Sequence, residues 1–283
     1  MLSTISPLLI YHANCLDGFG AACAAVAHFG TEGCELFEGR HGDLPPDVAN
    51  RTLYLLDFSY KREVLRTLCQ QSQQVVIIDH HLSAAEDLAG LESEIDNLRL
   101  HFDMEQSGAT LSWRYFHPHS AVPELLLDIE DRDLWRFTRP ESIDVTTALS
   151  SYPFEIARWQ QWMAQPAMRQ QLQQEGAVIN RFRSQMVERY KRRAFEADIC
   201  GYRVPVVNAP SEITSELLGE LSQQRPFAAS YQDMVDKRSW SLRSNGKQGV
   251  NVAEIATRFG GGGHRNAAGF STAVTLPFPL NPT

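Results

Sequence analysis

Hydrophobic and polar positions follow two rhythms along the first half of the chain. Short apolar runs at Pro7–Tyr11 (PLLIY), Thr52–Asp57 (TLYLLD), Val75–Asp79 (VVIID) and Leu98–Phe102 read as strands, with a further short one at Glu35–Phe37. Helical patterns lie between and after them, at Asp17–Phe29, Lys61–Gln71, Ser107–Phe116 and Val122–Asp131. Strands alternating with helices predict a parallel sheet with helices on its faces. From Glu155 to Glu196 the composition shifts to Gln, Arg, Met and Glu. This predicts two consecutive helices, the second long with Pro166 in its first turn, and reads as a spacer more than a core. After Cys200, the segments VPVVN, PFAASYQDMV and RSWSLRSN read as strands, and Ser211–Ser222 and Asn251–Phe259 as helices. The plan is α/β throughout: an N-terminal parallel-sheet domain over residues 1–150, a helical connector over 151–197, and a smaller mixed domain over 198–283.

Composition narrows the class. The chain has 283 residues, enough for about two domains, and 43% hydrophobic with 21% charged residues excludes disordered and fibrous classes. Lys and Arg number 26 against 34 Asp and Glu, a net charge of −8, so the diffuse basic field that holds long nucleic acids is missing. Short nucleotides and small phosphate compounds stay open, because a bound cation overrides the global sign locally. Apolar runs such as Val75 to Ile78 fall far short of the roughly 18 residues of a membrane span. No Lys or Arg precedes the first apolar run, so the N-terminus does not read as a secretion signal. Cys15, Cys23, Cys34, Cys69 and Cys200 form no CxxC pair and read as free thiols in a reducing cytoplasm.

Titratable residues gather where elements end. His12 and Asp17-Gly18 follow the first strand, Asp57 ends the TLYLLD run, and Asp79-His80-His81 follows four aliphatics. Asp131-Arg132-Asp133 closes a helix. Ligands of open α/β sheets bind at the carboxyl ends of strands, so these groups are expected to converge on one crevice. Imidazoles with several carboxylates suit hard to borderline divalent ions, Mn²⁺ in particular. A carboxylate bridging two such ions sets up in-line attack on a phosphate. Near the C-terminus, Phe259–Phe270 (FGGGGHRNAAGF) bares its backbone N–H groups toward an anion, with His264 and Arg265 as donors. Ser107-Gly108-Ala109 opens a helix and offers either a phosphate site or an ordinary N-cap. Gly18-Phe19-Gly20 also approximates a dinucleotide fingerprint with Glu38 twenty residues on. That reading sets Asp17 against a pyrophosphate and leaves Asp57, Asp79 and Asp131 without a purpose.

Together, His12…Asp17-Gly18, Asp57, Asp79-His80-His81 and GGGGHRNAAG resemble the DHH/DHHA1 phosphoesterases over nearly the whole chain and in that family's order. The segments NCLDGFGAA and DRDLW are most similar to its nanoRNase-like, short-oligonucleotide branch. The resemblance implies an active site in the cleft between the two domains and two Mn²⁺ ions, with Mg²⁺ or Co²⁺ as alternatives. In it His12 holds the first ion, Asp17, His80 and Asp131 hold the second, and Asp57 bridges them. Asp133 is the alternative to Asp131. Asp79 ligates or orients His80, and His81 contacts the scissile phosphate or protonates the leaving oxygen. Gly262, Gly263, His264, Arg265, Arg243 and Ser107 are the candidate substrate contacts. The chain departs from the family at Cys15, which stands where the first Asp of a D-x-D-G motif belongs. Cys15 either weakens the first ion's site or ligates it.

The expected activity is hydrolysis of very short oligonucleotides to mononucleotides, without membrane or long-polymer partners and with room for a homodimer. The same chemistry on a cyclic dinucleotide, a nucleotide bisphosphate or pyrophosphate and polyphosphate is the near alternative. A non-catalytic nucleotide-binding protein is the alternative of another class.

Overall fold

Leu8, Leu9 and Ile10 are all fully buried, which a strand allows only when both faces of its sheet are covered. They belong to β1 (Leu8–His12). The computed structural model, which describes residues 5–246 and 249–274, builds around it a parallel sheet ordered β2-β1-β3-β4-β5. Its other strands are β2 (Glu35–Gly39), β3 (Thr52–Leu56), β4 (Gln74–Asp79) and β5 (Leu98–Phe102). Side chains alternate between two cores. Leu9, Tyr11, Leu56, Val76 and Ile78 meet helices α1 (Leu16–Phe29), α5 (Gly108–Phe116), α6 (Glu124–Asp133), α7 (Ser142–Ser150) and α8 (Ile156–Ala164). Leu8, Ile10, Leu53, Leu55, Val75 and Ile77 meet α2 (Arg62–Gln71), α3 (Leu82–Leu88) and α4 (Leu91–Glu94).

The chain divides into compact units Met1–Ile179 and Asn180–Thr283, the division falling inside the long helix α9 (Pro166–Lys191). The stretch read as a spacer contributes to cores instead. Trp159, fully buried, packs edge-on to Phe19 at 5.0 Å, and Leu172 joins the same core. Its aromatic residues stand at helical spacing among Gln and Arg, which masked them in a composition reading. Helix α7 (SIDVTTALS) was also missed, because its Thr and Val favour strands in isolation.

The second unit is a six-stranded mixed sheet ordered β10-β11-β9-β8-β7-β6. Its elements are β6 (Phe195–Ile199), β7 (Tyr202–Asn208), α10 (Thr214–Leu221), β8 (Ala228–Asp233), β9 (Lys237–Arg243), α11 (Val252–Thr257), β10 (Gly262–His264) and β11 (Ala267–Ala273). Among the described residues of this unit, only β7 and β8 pair in parallel. The glycine run read as bare backbone facing an anion is half strand: β10 and β11 form a hairpin with His264 opposite Ala267. Gly263 sits at φ 142°, where a Cβ would fall 2.5 Å from the Ala267 carbonyl oxygen, so this glycine serves backbone approach within the hairpin. Among the described residues no helix is long and apolar enough to cross a membrane.

Candidate metal centre

In a sheet ordered β2-β1-β3-β4-β5 the chain departs in opposite directions from β1, which leaves a crevice beyond the carboxyl ends of β1 and β3. His12 ends β1, Asp57 directly follows β3, and Asp79 ends β4 with His80 and His81 next. Parallel register sets Leu56 beside both Tyr11 and Ile78, so all five groups reach one edge. Asp57 adopts a left-handed backbone at φ 54°, and its N–H donates to the Ile78 carbonyl at 2.9 Å. The turn ends the strand and leaves the carboxylate beside His12.

His12 Nδ1 lies 3.3 Å from Asp57 Oδ2. His80 Nε2 lies 3.2 Å from Asp57 Oδ1, 3.5 Å from Asp133 Oδ2 and 3.6 Å from Asp17 Oδ2. Asp79 works differently. Its Oδ1 accepts from the His80 N–H at 2.7 Å, the His81 N–H at 3.3 Å and His81 Nδ1 at 2.6 Å. That oxygen is spent on shaping the turn and orienting the His81 ring. The side chains fall into groups whose ligand atoms lie within 4.8 Å of one another: His12, Cys15 and Asp57; Asp17, His80 and Asp133; and Asp57, Asp79, His80 and His81. Asp57 belongs to two of them.

Charge balance favours a cation here. Asp17, Asp57 and Asp79 are each 1% exposed, and Asp133 joins them against three imidazoles. Burial, then Asp57 and Asp133, push the Asp17 carboxyl well above its ordinary range. Burial, with Asp57 beside it, likewise raises Asp133. Burial also disfavours the charged form of Asp57, but hydrogen bonds from His12 and His80 outweigh it and hold Asp57 at about 2. For His80, burial is outweighed by Asp57, Asp17 and Asp133, which lift it to about 9. The Asp79 hydrogen bond raises His81. Asp57 Oδ1 is buried and faces two ring nitrogens, His80 Nε2 at 3.2 Å and His81 Nδ1 at 3.8 Å, both groups able to share a cation with it. The donor set of imidazole and carboxylate fits a divalent ion.

A pH dependence follows. Below about pH 9 His80 carries a proton that an incoming ion must displace. Calorimetric Mn²⁺ affinity is expected to rise about tenfold per pH unit from pH 7 to about 9. A flat profile over that window would remove His80 from the ligand set.

Asp131 and Asp133 part company on α6. Residues two apart on a helix point roughly 200° apart. Asp133 continues the stripe of Leu126 and Ile129 and arrives beside His80. Asp131, the family-based first choice, is 2% exposed and turned away from the cluster. Its Oδ1 accepts from the Thr138 N–H and Oγ1, both at 2.8 Å, and its Oδ2 accepts from Ser142 Oγ at 2.6 Å. Replacing Asp131 with alanine is therefore expected to cost about 3 kcal/mol of stability. Asp133→Ala should shift the melting temperature by no more than about 2 °C but weaken Mn²⁺ binding. Melting curves with and without Mn²⁺ read both effects, and the reverse pattern would restore Asp131.

Ser107 is corrected as a substrate contact. It is fully buried, its N–H donates to Glu130 Oε2, and its Oγ caps Thr110 N–H. The next two N–H groups of α5 donate to Asp17, Gly108 at 2.6 Å and Ala109 at 2.9 Å. The helix terminus that could have held a phosphate holds carboxylates of this chain. The dinucleotide alternative fails likewise, since Gly18, Gly20 and Cys23 lie buried inside α1.

In the second unit, His264 and Arg265 are exposed at the hairpin tip with Gly262 and Gly263. Arg243 is half-buried on β9, donates to Ser215 Oγ at 3.3 Å, and has no carboxylate partner among the described residues. Two features escaped the sequence reading. His41 stacks on Phe58 at 5.0 Å and meets His12 edge-on at 5.4 Å. It follows β2 in a loop with no motif to signal it. Trp135 and Phe137, just past Asp133, are 75% and 40% exposed. Both hold left-handed backbones, at φ 53° and 48°, which bulky residues rarely adopt. The Arg136 and Phe137 N–H groups donate to the Asp131 carbonyl and fix that turn.

No family model matches the chain. Uncharacterized protein R106 of Acanthamoeba polyphaga mimivirus is 28% identical over 287 residues, spanning 93% of this chain and 67% of the viral protein. The pGpG-specific phosphodiesterase PggH from Vibrio cholerae has a TM-score of 0.57 at 14% identity, covering 95% of this chain and 94% of that one. RecJ from Thermus thermophilus in complex with Mn²⁺ has a TM-score of 0.51 at 13% identity, covering 94% of this chain and 49% of RecJ. At these identities the likeness is one of fold: a five-stranded parallel sheet followed by a second, mixed sheet.

Proposed function

We propose that this chain is a Mn²⁺-dependent phosphodiester hydrolase of the DHH type, cutting dinucleotides and oligonucleotides of a few residues to mononucleotides. One observation carries the reading: the buried Asp57 carboxylate belongs to two ligand groups at the β1/β3 crevice, with Oδ2 beside His12 and Oδ1 beside His80. The fold held in common with a pGpG-specific phosphodiesterase and a manganese-bound RecJ supports it. Divalent ions at such a site supply Lewis acidity to phosphoryl oxygens and lower the pKa of an attacking water.

The protein's own groups do the rest. His12, Asp57, Asp17, His80 and Asp133 form the ligand set in this reading. His81, oriented by Asp79 and raised in pKa by its hydrogen bond, is the proposed contact to the scissile phosphate or proton donor to the leaving oxygen. Trp135 offers an exposed ring to a nucleobase beside Asp133.

The test is turnover with Mn²⁺ on di- to hexaribonucleotides, a cyclic dinucleotide and pyrophosphate, with His81→Ala as control. Cleavage of the shortest linear RNAs, lost in the variant, is the expected result. Trp135→Ala should raise KM for a dinucleotide roughly tenfold while leaving bis(p-nitrophenyl) phosphate unchanged, since one base stack is worth about 1–3 kcal/mol. Equal losses on both substrates would deny the base contact, and pyrophosphate as the best substrate would replace the nucleotide reading.

A further inference from the structure

We propose that Cys15 is a thiolate ligand to an ion seated with His12 and Asp57, so that this position takes a borderline ion such as Co²⁺, Zn²⁺ or Fe²⁺ ahead of Mn²⁺. The inference rests on the reading that the cluster holds divalent ions. Cys15 occupies the N-cap position of α1, and the Gly18 N–H faces its sulfur. That sulfur lies within 4.8 Å of ligand atoms of His12 and Asp57. Asp57, 1% exposed, sets its Oδ2 3.3 Å from His12 Nδ1.

The other cysteines have different surroundings. Cys23 and Cys69 are buried in the two apolar cores of the first unit. Cys34 donates to the Gly30 carbonyl, and Cys200 packs against the apolar core of the second unit. None of these joins a ligand group among the described residues.

Sulfur, imidazole and carboxylate together form a set that Zn²⁺ and Co²⁺ accept readily, while Mn²⁺ and Mg²⁺ favour oxygen. The adjacent group, Asp17, His80 and Asp133, offers only nitrogen and oxygen. The two positions therefore differ in softness, and the centre is built for two unlike ions. Coordination exchanges the S–H bond for a sulfur–metal bond and releases the proton to solvent, with no change of oxidation state.

Anaerobic Co²⁺ titration of the reduced full chain tests this without turnover. The wild type is expected to show a near-ultraviolet thiolate-to-cobalt charge-transfer band together with the visible cobalt bands. Cys15→Ser and Cys15→Asp should lose the near-ultraviolet band and keep the visible ones, and Cys34→Ser and Cys200→Ser should keep both. Less Mn²⁺ should displace Co²⁺ from Cys15→Asp than from the wild type. Visible bands without the near-ultraviolet band in the wild type, or a band that survives Cys15→Ser, would overturn the ligand role and leave the metal centre standing. Absence of both bands in the wild type would overturn this inference and the proposed metal dependence together.

Discussion

An Asp57→Asn protein is expected to fold and to lose turnover of short diesters by roughly a thousandfold or more, the upper range for removing one preorganised charged group. Asparagine keeps the shape of the side chain and tolerates the left-handed backbone at φ 54°. What disappears is the charge between His12 and His80. The metal-free fold feels this as well. Asp57 is depressed from 3.8 to about 2, so its charged form stabilises the native state above about pH 4. That contribution, about 2 kcal/mol, is lost as pH falls toward 2. Asp57→Asn should therefore melt lower than the wild type at neutral pH and converge with it in acid. Mn²⁺ at a hundred times its dissociation constant should stabilise the wild type by about 2.7 kcal/mol and leave the variant unmoved. A variant with near-normal kcat and an intact Mn²⁺-induced shift would end the case for a shared carboxylate.

Gly108→Ala is expected to be a severely damaging single-methyl change beside the site. A Cβ there would lie 2.5 Å from the Asp57 Cβ and 3.0 Å from Asp17 Oδ2. Neither neighbour can yield cheaply. Asp57 is held by its own turn, and Asp17 accepts the Gly108 and Ala109 N–H groups. Overpacking of this kind costs about 1–3 kcal/mol. Displacing ligands by about 1 Å costs about a hundredfold in rate. Gly219→Ala supplies the contrast, since nothing lies within 4 Å of its added methyl. It sits inside α10, where alanine should stabilise by about 0.5–1 kcal/mol. Denaturation midpoints and kcat on both variants separate the effects. A Gly108→Ala protein with unchanged rate would mean that Asp57 and Asp17 have more freedom than their packing allows.

Much of the parallel sheet was legible because its strands are buried on both faces and read as unbroken aliphatic runs. VVIID and TLYLLD needed no partner to be seen. The convergence of His12, Asp57 and Asp79-His80-His81 was legible for the same reason, since parallel strands end together. Helices such as α7, whose residues favour strands locally, were not. Nor was the fate of the α5 terminus, because Asp17 reaches it from 91 residues away.

Local sequence is enough to foresee metal-type ligands gathered at one end of the parallel sheet. Imidazoles and carboxylates at strand ends are costly to bury without a purpose, and their positions follow from local periodicity alone. How these groups are shared out is a matter of long-range packing. Asp133 turns toward His80 while Asp131 is consumed by Thr138 and Ser142, and Asp17 takes the helix terminus that a phosphate could have held. Those choices depend on which face of a helix meets the sheet, and that is set by packing between residues distant in the chain.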